Sequence, residues 1–419
     1  MDNAAPSAIT IFMTFDTDIL IAGGGLNGTT LALALSSAGF HVTLVDPQPK
    51  ATRAANDFDG RGYALSVASQ RVLKALNIWP VIAEDAQPIL EIKVTDGRAG
   101  EGPSPMMLAF DHAEIEEGPM GFVVEDRHLR PALLAAVDAS DITQLNSCSV
   151  IGQAPDSNGI TVTLSDGGLL RARLLVGCDG KASTVASRAG ISRMGWQYDQ
   201  TALVCAIQHE RSHNATAHQF FMPPGPLAIL PLTGNRASIV WTEKTARAAA
   251  IADLGDDAYL NVLRPRFGDF LGDISLAGER FSYPLGLSLA KSFIGPRVAL
   301  VGDAAHAVHP IAGQGLNAGL KDVASLAEVL TDAIRRGEDI GRADVLSRYR
   351  QWRRFDTATL AIATDGFNRL LSNDKGFLRA FRDIGLVAAN AIPGLRRGLI
   401  REAAGLTGDM PRLAKGQPL

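Results

Sequence analysis

Residues 298–321 read VALVGDAAHAVHPIAGQGLNAGLK and join an apolar run to a glycine-rich loop and a helical pattern. The apolar run stops at Gly302-Asp303, where the Asp303 carboxylate can accept hydrogen bonds from ribityl hydroxyl groups. The helical pattern runs from about residue 316 to residue 330. Its first backbone N–H groups have no partner within the helix, and they belong to Gly315, Leu316 and Asn317. Because a helix N-terminus is electropositive, the segment predicts a site for a polar cofactor such as a flavin, whose reduced ring edge carries negative charge.

A second motif lies near the N-terminus, where the pattern is that of a strand, a helix and a second strand. Residues 19–22 form an apolar run, and the pattern G-x-G-x-x-G follows at Gly23, Gly25 and Gly28. The first glycine permits a tight turn, the second lets a pyrophosphate approach the backbone, and the third packs helix on strand. Asp46 closes the second strand 18 residues after Gly28, about where a carboxylate would meet an adenosine ribose. A dinucleotide site is predicted; the alternative is a plain glycine-rich turn.

A third strand-to-turn pattern lies between these two. Residues 174–176 are apolar and lead into the sequence GCDG, which contains Asp179, and a helix is predicted to start near Ser183. Since Asp-Gly is a common turn pair, an ordinary strand-to-helix turn is the alternative to a cofactor-binding role for Asp179.

The three motifs, in this order, resemble those of the flavoprotein aromatic hydroxylases of the para-hydroxybenzoate hydroxylase type. Residues 309–330, HPIAGQGLNAGLKDVASLAEVL, are more similar still to the UbiH-type ubiquinone-biosynthesis hydroxylases. Residues 59–79 resemble the second flavin-contact region of that group, with Arg61 at its flavin-contact arginine. Residues 121–134 also match, which implies a flavin contact at Arg127. The resemblance extends over roughly residues 17–415 and implies bound FAD.

Three positions depart from the pattern of that group. Ala186 occupies the usual arginine position of the Asp-Gly region, and Arg188 lies two residues on. Asp126 replaces a residue that is commonly Asn or Arg, next to Arg127, and Asp46 replaces the more frequent Glu. The arginine of the Asp-Gly region is often linked to pyridine-nucleotide handling, so that role has no assigned residue here.

The resemblance implies an FAD-dependent aromatic-ring monooxygenase. NAD(P)H would reduce the flavin, O2 would add at its C4a atom, and the hydroperoxyflavin would deliver one oxygen atom to a polyprenylated phenol or benzoate of ubiquinone biosynthesis. The cofactor carries the chemistry. No general base is indicated, and His306, His309 and Tyr198 are candidates by reactivity alone. Two alternatives stay open: epoxidation or oxidation of another hydrophobic molecule, and a weakly active flavin-bearing subunit of a biosynthetic complex.

Length and composition fit a cytoplasmic enzyme of more than one domain. The chain has 419 residues, 46% of them hydrophobic and 20% charged, as in a folded protein large enough for two cores. Its net charge of −4 gives no reason to expect nucleic acid as a partner. Three widely spaced cysteines indicate free thiols, and no metal site is predicted from His306 and His309. No apolar run reaches the roughly 18 residues that a membrane-spanning helix needs.

The expected fold is α/β, a Rossmann-like FAD-binding domain with an inserted antiparallel β-sheet substrate domain and a C-terminal helical region. Short alternating runs in residues 190–284, separated by turn signals, indicate the antiparallel sheet. The domain assignment is residues 1–88, 122–188 and 285–345 for the FAD-binding domain, residues 89–121 and 189–284 for the substrate domain, and residues 346–419 for the helical region.

A sheet beside a dinucleotide domain makes a cleft for a substrate. Within the sheet, Gln219-Phe220, residues 225–232 and Trp241 resemble the same group of hydroxylases. The aromatic residues that can line the cleft are Trp196, Phe220, Phe221 and Trp241. The alternative is a place in the core, which is more common for aromatic residues at strand spacing.

The C-terminal region carries a charge opposite to that of the rest of the chain. Residues 366–419 hold nine Lys or Arg and four Asp or Glu, a net charge of +5, which leaves −9 on residues 1–365. One interpretation is a helical appendage packed on the FAD-binding domain. The other is a basic amphipathic surface that touches anionic lipid at the inner face of the membrane, or a partner in a quinone-biosynthesis complex.

Overall fold

The computed structural model describes residues 15–55, 61–98, 102–114, 117–307, 314–353 and 393–419. The strands in these ranges are β1 Thr17–Ala22, β2 Val42–Asp46, β3 Gly62–Ser66, β4 Gln87–Ile89, β5 Glu91–Arg98, β6 Gly102–Asp111, β7 Gly121–Glu125, β8 Thr143–Asn146, β9 Val150–Pro155, β10 Ile160–Leu164, β11 Leu169–Gly177, β12 Arg193–His209, β13 Thr216–Met222, β14 Gly225–Leu232, β15 Arg236–Lys244, β16 Ile274–Leu276, β17 Phe281–Ala290, β18 Ile294–Gly295, β19 Val298–Leu300 and β20 His306–Ala307. The helices are α1 Leu26–Ser37, α2 Lys50–Arg53, α3 Val67–Ala75, α4 Trp79–Ile82, α5 Asp126–Asp138, α6 Thr184–Arg188, α7 Thr245–Ala252, α8 Asp256–Phe267, α9 Gln314–Arg335, α10 at residues 343–353, and α11 Pro393–Ala403.

The first sheet carries the N-terminal glycine motif. Its strand order is β18-β19-β11-β1-β2-β8, and the pairs β1–β2, β1–β11, β2–β8 and β11–β19 are parallel. Its central strands are apolar along their length because both faces are covered; Ile19, Leu20 and Ile21 are fully buried. The carboxyl ends of β1, β11 and β19 lie side by side, with Ala22 paired to Gly177 and Gly177 to Leu300. The three motifs therefore meet at one edge of the sheet.

The second sheet has the order β20-β17-β12-β15-β14-β13-β5-β6, with β16 also paired to β12. Its pairs are antiparallel except β13–β5, which is parallel. Helices α7 and α8 cover one face, and a core forms there. The turn that follows Gly302-Asp303 leads into β20 at the edge of this sheet. The prediction of a mixed α/β fold, with a Rossmann-like parallel sheet and an antiparallel sheet, is confirmed.

A small antiparallel sheet, β3-β7-β4, lies against the other face of the second sheet. Its contact with that face is a core that includes Val123 from β7, Ala206 from β12 and Ala217 from β13. This placement puts the strand that follows Arg61 directly over the antiparallel sheet.

The C-terminal part of the chain packs against both the first sheet and the second sheet. In α10, Tyr349 is fully buried in the core of the first sheet and its hydroxyl donates to the carbonyl of Leu300 at 2.8 Å. In α11, Ile400 is 2% exposed and joins the core between the small sheet and the second sheet. Within the described ranges, none of the helices is long and apolar enough to cross a membrane.

Candidate functional site

The glycine turn at the end of β1 has two glycines that the fold itself requires. Gly23 has φ +106°, and a Cβ there would lie 2.4 Å from the carbonyl oxygen of Cys178. A Cβ on Gly28 would lie 1.9 Å from the carbonyl oxygen of Gly23. A Cβ on Gly25, in contrast, would meet none of the described atoms within 4 Å. Gly25 therefore borders open space at the start of α1, where a phosphate can approach the helix N-terminus.

Asp46 holds this turn from the end of β2. Its carboxylate accepts hydrogen bonds from the backbone N–H groups of Gly24 at 2.6 Å and of Gln48 at 2.8 Å. Arg53 is buried beside it, with Nε 3.6 Å from the Asp46 Oδ1 atom, and donates to the carbonyl of Gly24 at 3.1 Å. Arg53 adds a buried cation to the turn. No sequence motif marks the short helix that carries Arg53, so no local pattern indicated this residue.

A cleft of about 470 Å³ brings the N-terminal motif and the Asp-Gly motif together. Its lining includes Gly23, Gly25, Asp46, Cys178, Asp179 and Arg188. The cleft lies at the carboxyl ends of parallel strands, which is where open α/β sheets bind their ligands. Two of the three predicted motifs thus share one cavity.

Asp179 occupies the cleft wall, and its carboxylate is already engaged within the protein. It accepts hydrogen bonds from the Ser183 hydroxyl at 2.5 Å and from the backbone N–H groups of Thr184 at 2.7 Å and Val185 at 3.1 Å. These bonds cap the start of α6, as in an ordinary strand-to-helix turn. Asp179 can therefore act on a ligand by shaping the wall more than by direct hydrogen bonding.

The Gly302-Asp303 turn lies at the end of β19, at the same sheet edge. Gly302 has φ +63° and donates its backbone N–H to the Asp322 carboxylate at 3.0 Å. The Asp303 side chain is open to solvent on one side. Burial of the remainder of the side chain raises the pKa of Asp303, and nearby His306, Arg193 and Lys181 oppose that rise. The carboxylate is thus a partly exposed acceptor near Arg193 and Lys181, and it can accept hydrogen bonds from ribityl hydroxyl groups.

Beneath this turn lies a group of buried ionisable side chains centred on Asp322 in α9. The carboxylate accepts from Nε2 of His306 at 2.6 Å and from Nε of Arg353 at 2.6 Å, in addition to the backbone of Gly302. Burial alone would raise the pKa of Asp322, but His306 and Arg353 lower it below its ordinary value. His306 is 1% exposed, so it supports the turn from below instead of facing the cleft as a base. His309 lies outside the described residues.

Asn27 joins the N-terminal motif to the Gly302 turn. A Cβ on Gly302 would lie 2.2 Å from the Asn27 Nδ2 atom, and a Cβ on Gly319 would lie 2.4 Å from it. The Asn27 amide therefore occupies the space beside both glycines. Its Oδ1 atom is buried and has no hydrogen-bond partner among the described residues. An unpaired buried acceptor beside a glycine turn and an acidic turn fits a ligand that brings hydroxyl groups, as FAD does. No sequence motif indicated Asn27, which is one of the variable positions of G-x-G-x-x-G.

The start of α9 is fixed to the strand β3 by one side chain. Asn317 accepts from the backbone N–H of Ser66 at 2.9 Å and from the Ser69 hydroxyl at 2.7 Å, and donates to the carbonyl of Ala64 at 2.8 Å. The Asn317 side chain is therefore structural, while the backbone N–H groups of Gly315, Leu316 and Asn317 begin the helix as predicted. Pro310 and Gly313 of the preceding loop lie outside the described residues.

Arg61 lies in a cluster around Asp126, one of the departures from the family pattern. The buried Asp126 carboxylate accepts from Arg61 at 3.2 Å, from Arg130 at 2.8 Å and from the Tyr63 hydroxyl at 2.8 Å. Burial raises the pKa of Tyr63 well above its ordinary value, so the hydroxyl stays a donor. Asp126 thus holds Arg61 at the start of β3, with 43% of the Arg61 side chain still exposed.

Arg127 is held by a neighbouring carboxylate. Its Nε atom lies 2.6 Å from Glu125, whose other oxygen accepts from Arg236 of β15 at 2.8 Å. This pair of contacts ties the small sheet to the antiparallel sheet. Arg61 and Arg127 are brought to the same end of β7 and the start of α5, while their contact with a flavin stays a prediction.

The aromatic residues of the antiparallel sheet divide between its two faces. Phe220 and Trp241 are each 1% exposed and belong to the core under α7 and α8, so the core interpretation is correct for them. Phe221, the next residue along β13, points to the opposite face. Trp196 lies on β12 and is 37% exposed.

Comparison with known proteins agrees with a site for FAD. The family model described as FAD binding domain matches residues 16–361. The chain is 42% identical over 406 residues to a ubiquinone hydroxylase, UbiL, of Rhodospirillum rubrum, covering 96% of this chain and 93% of that protein. It is 34% identical over 394 residues to the 3-demethoxyubiquinol 3-hydroxylase of Escherichia coli, covering 93% of this chain and 99% of that protein.

Among solved structures, p-nitrophenol 4-monooxygenase PnpA from Pseudomonas putida has the same fold. The TM-score is 0.77 over 94% of this chain and 98% of that chain, with 20% sequence identity. The match over residues 16–361 and the identity to full-length relatives agree with the three motifs at one sheet edge. The chain therefore belongs to the FAD binding domain family, and within it to the UbiH-type ubiquinone-biosynthesis hydroxylases.

Proposed function

We propose that this chain is an FAD-dependent monooxygenase that hydroxylates the aromatic ring of a polyprenylated phenol or benzoate intermediate of ubiquinone biosynthesis. The observation that carries the proposal is identity over almost the whole chain to two proteins named as hydroxylases of ubiquinone or its precursor. The similarity is not confined to the cofactor domain, since it covers the antiparallel sheet as well.

The residues present fit FAD. In this proposal the turn around Gly23, Gly25 and Gly28 takes the pyrophosphate, and Asp46 lies beside the adenosine ribose. Asp303 and the unpaired Asn27 Oδ1 atom accept from ribityl hydroxyl groups. The first N–H groups of α9 would hold the pyrimidine edge of the flavin, and Arg61 and Arg127 would contact its ring system.

When bound, the flavin would supply the redox chemistry that activates O2 for ring hydroxylation. The protein's own task is to orient the ring and to exclude water from it. The face of the antiparallel sheet that lies opposite α7 and α8 is proposed as the floor on which the substrate ring rests. NAD(P)H is the proposed electron donor.

We also propose that the enzyme is cytoplasmic and touches the inner face of the membrane, where a polyprenylated substrate resides. The basic tail is partly neutralised within the protein, because Arg396 pairs with Glu114 at 2.8 Å and Arg412 with Asp332 at 2.6 Å. Leu399 and Arg401 of α11 are both exposed and flank the buried Ile400. Exposed basic and apolar side chains on one helix are the combination expected of a peripheral lipid contact.

The test is product analysis with the purified holoenzyme. The protein is incubated with NADH or NADPH, isotopically labelled O2 and prenylated precursors extracted from cells that accumulate them, and products are analysed by mass spectrometry. The expected product gains one labelled oxygen atom on the ring. Label in the prenyl chain would indicate an epoxidase, and a yellow protein that converts none of the precursors would indicate a flavin-bearing subunit.

A further inference from the structure

The antiparallel sheet presents two different faces because side chains alternate along each strand. Phe220, Ile239 and Trp241 belong to the face covered by α7 and α8. Their neighbours in sequence belong to the other face. There Ser238 lies against β3, since a Cβ on Gly62 would be 3.6 Å from its hydroxyl oxygen. Gly62 follows Arg61, so this second face borders the proposed flavin site.

Gln219 is a polar side chain on this second face. It precedes Phe220 on β13 and lies beside Val94 of β5 and Ala228 of β14 in the sheet register. Its Nε2 atom is buried, and no hydrogen-bond partner for it exists among the described residues. A buried amide N–H without an acceptor is costly.

The surroundings of Gln219 show where an acceptor can come from. Two residues earlier, Ala217 is buried under α11 and the small sheet. In the other direction the face is less covered: Ala228 and Val240, which are paired across β14 and β15, are only half-buried. Phe221 completes this apolar floor on β13. Gln219 thus lies between the covered part of this face and its half-buried apolar part, and none of the described residues supplies an acceptor for its Nε2 atom.

We propose that Gln219 binds the phenolic hydroxyl of the substrate ring and so selects phenols over unsubstituted prenyl arenes. The proposal rests on the proposed function of the chain. An amide suits this role because it donates through its nitrogen and accepts through its oxygen, so it can serve a hydroxyl in either orientation. The apolar floor formed by Phe221, Ala228 and Val240 then takes the ring. Gln219 acts as a specificity-determining residue that contacts the substrate.

The experiment measures ligand binding to the oxidised holoenzyme through the change in flavin absorbance, with two probes. One probe is ortho-geranylphenol, and the other is geranylbenzene, which lacks the hydroxyl. Wild type is expected to prefer the phenol by about fivefold to tenfold, which corresponds to one hydrogen bond of about 1–1.4 kcal/mol. The variant Gln219→Met keeps the side-chain volume and removes the amide, so it should bind both probes equally. The control Gln208→Met makes the same change at an exposed site of β12 and should keep the preference.

Each outcome decides the proposal. A Gln219→Met variant that keeps the wild-type preference overturns it, while hydroxylation by wild type in the same preparation leaves the proposed function standing. A wild type that neither binds nor hydroxylates prenylated phenols overturns both. If Gln219→Met fails to retain FAD, the same titration is made with Gln219→Asn, whose amide is shorter by one methylene. A lower preference for the phenol in that variant supports the proposal, and an unchanged preference overturns it.

Discussion

At the scale of single residues, the three glycines of the N-terminal motif have different physical reasons for being glycine. Gly23 and Gly28 must be glycine because a Cβ on them would lie only 2.4 Å and 1.9 Å, respectively, from a backbone carbonyl oxygen. Gly25 has φ −69° and ψ −178°, which any residue can adopt, and open space in place of a Cβ. None of the described residues constrains it, so we expect the constraint to come from a ligand.

This difference makes a prediction for two valine variants. Gly25→Val should leave the apoprotein as stable as wild type and abolish FAD binding, because its methyl groups take the space of the pyrophosphate. Gly28→Val should destabilise the apoprotein itself, because its side chain overlaps the backbone of Gly23. Thermal unfolding of the apoproteins, together with the ratio of flavin to protein absorbance, separates the two effects. A Gly25→Val protein that binds FAD with wild-type affinity would mean that the motif is only a structural turn.

Asp303 allows a second residue-scale prediction. Asp303→Ala removes an acceptor for ribityl hydroxyl groups, and the lost hydrogen bonds are worth roughly 1–3 kcal/mol. The variant should therefore purify with much less flavin than wild type, as measured by absorbance and by titration of the apoprotein with FAD. Asp273→Ala, at an exposed position of the antiparallel unit, is the control and should keep its flavin. Full occupancy and activity in Asp303→Ala would refute the assignment of this turn.

At the scale of elements, the cofactor edge is held together by side chains that connect pieces distant in sequence. Asp322 links α9 to the end of β19 through Gly302 and to α10 through Arg353. Asn317 links the start of α9 to β3. These bonds are buried, so each leaves an unpaired polar group if it is broken. The elements that carry the motifs therefore keep one relative position.

The pair formed by Asp322 and Arg353 gives a prediction at this scale. Asp322→Asn leaves the buried Arg353 cation without its counter-charge, at a cost of about 3–5 kcal/mol. Arg353→Met leaves the buried carboxylate with His306 and Gly302 and should also destabilise the protein. The double variant should lose less than the sum of the two single variants, because neither charge is then left alone. Chemical denaturation of the four proteins measures this coupling, and additive losses would contradict it.

At the scale of the whole molecule, charge is distributed unevenly along the chain. The described C-terminal part attaches through the ion pairs of Arg396 and Arg412 and through Ile400 in the core. One side of α11 therefore packs on the rest of the protein, while residues 366–392 of the basic tail lie outside the described residues. Leu399, with 40% of its surface accessible, and Arg401 flank Ile400 and stay exposed, so they are the residues of α11 available to a lipid surface.

The corresponding prediction is tested with anionic vesicles. Replacement of Arg397 and Arg401 by Glu should reduce co-sedimentation by more than tenfold, because each basic residue near such a surface contributes about 1 kcal/mol. Arg396 is left unchanged, since its reversal would also break the ion pair with Glu114. The difference should shrink with added salt, which screens surface attraction, and the flavin content should stay constant. Equal sedimentation of variant and wild type would restrict α11 to a packing or subunit contact.

The amino-acid sequence by itself determined the local parts of this protein: the apolar strands that end in Gly-x-Gly and in Gly-Asp, the helix that follows residue 314, and the alternating strands of the antiparallel sheet. These features depend on neighbours within a few residues, where backbone conformation and hydrophobic periodicity are set. The order of the motifs was enough to indicate the family.

Tertiary structure decided which residues support those motifs. Arg53 beside Asp46, Asn27 between Gly302 and Gly319, and Arg353 against Asp322 are contacts between distant segments, and no local pattern encodes them. The same holds for the face on which Gln219 lies, because burial on one side of a sheet depends on which elements pack there.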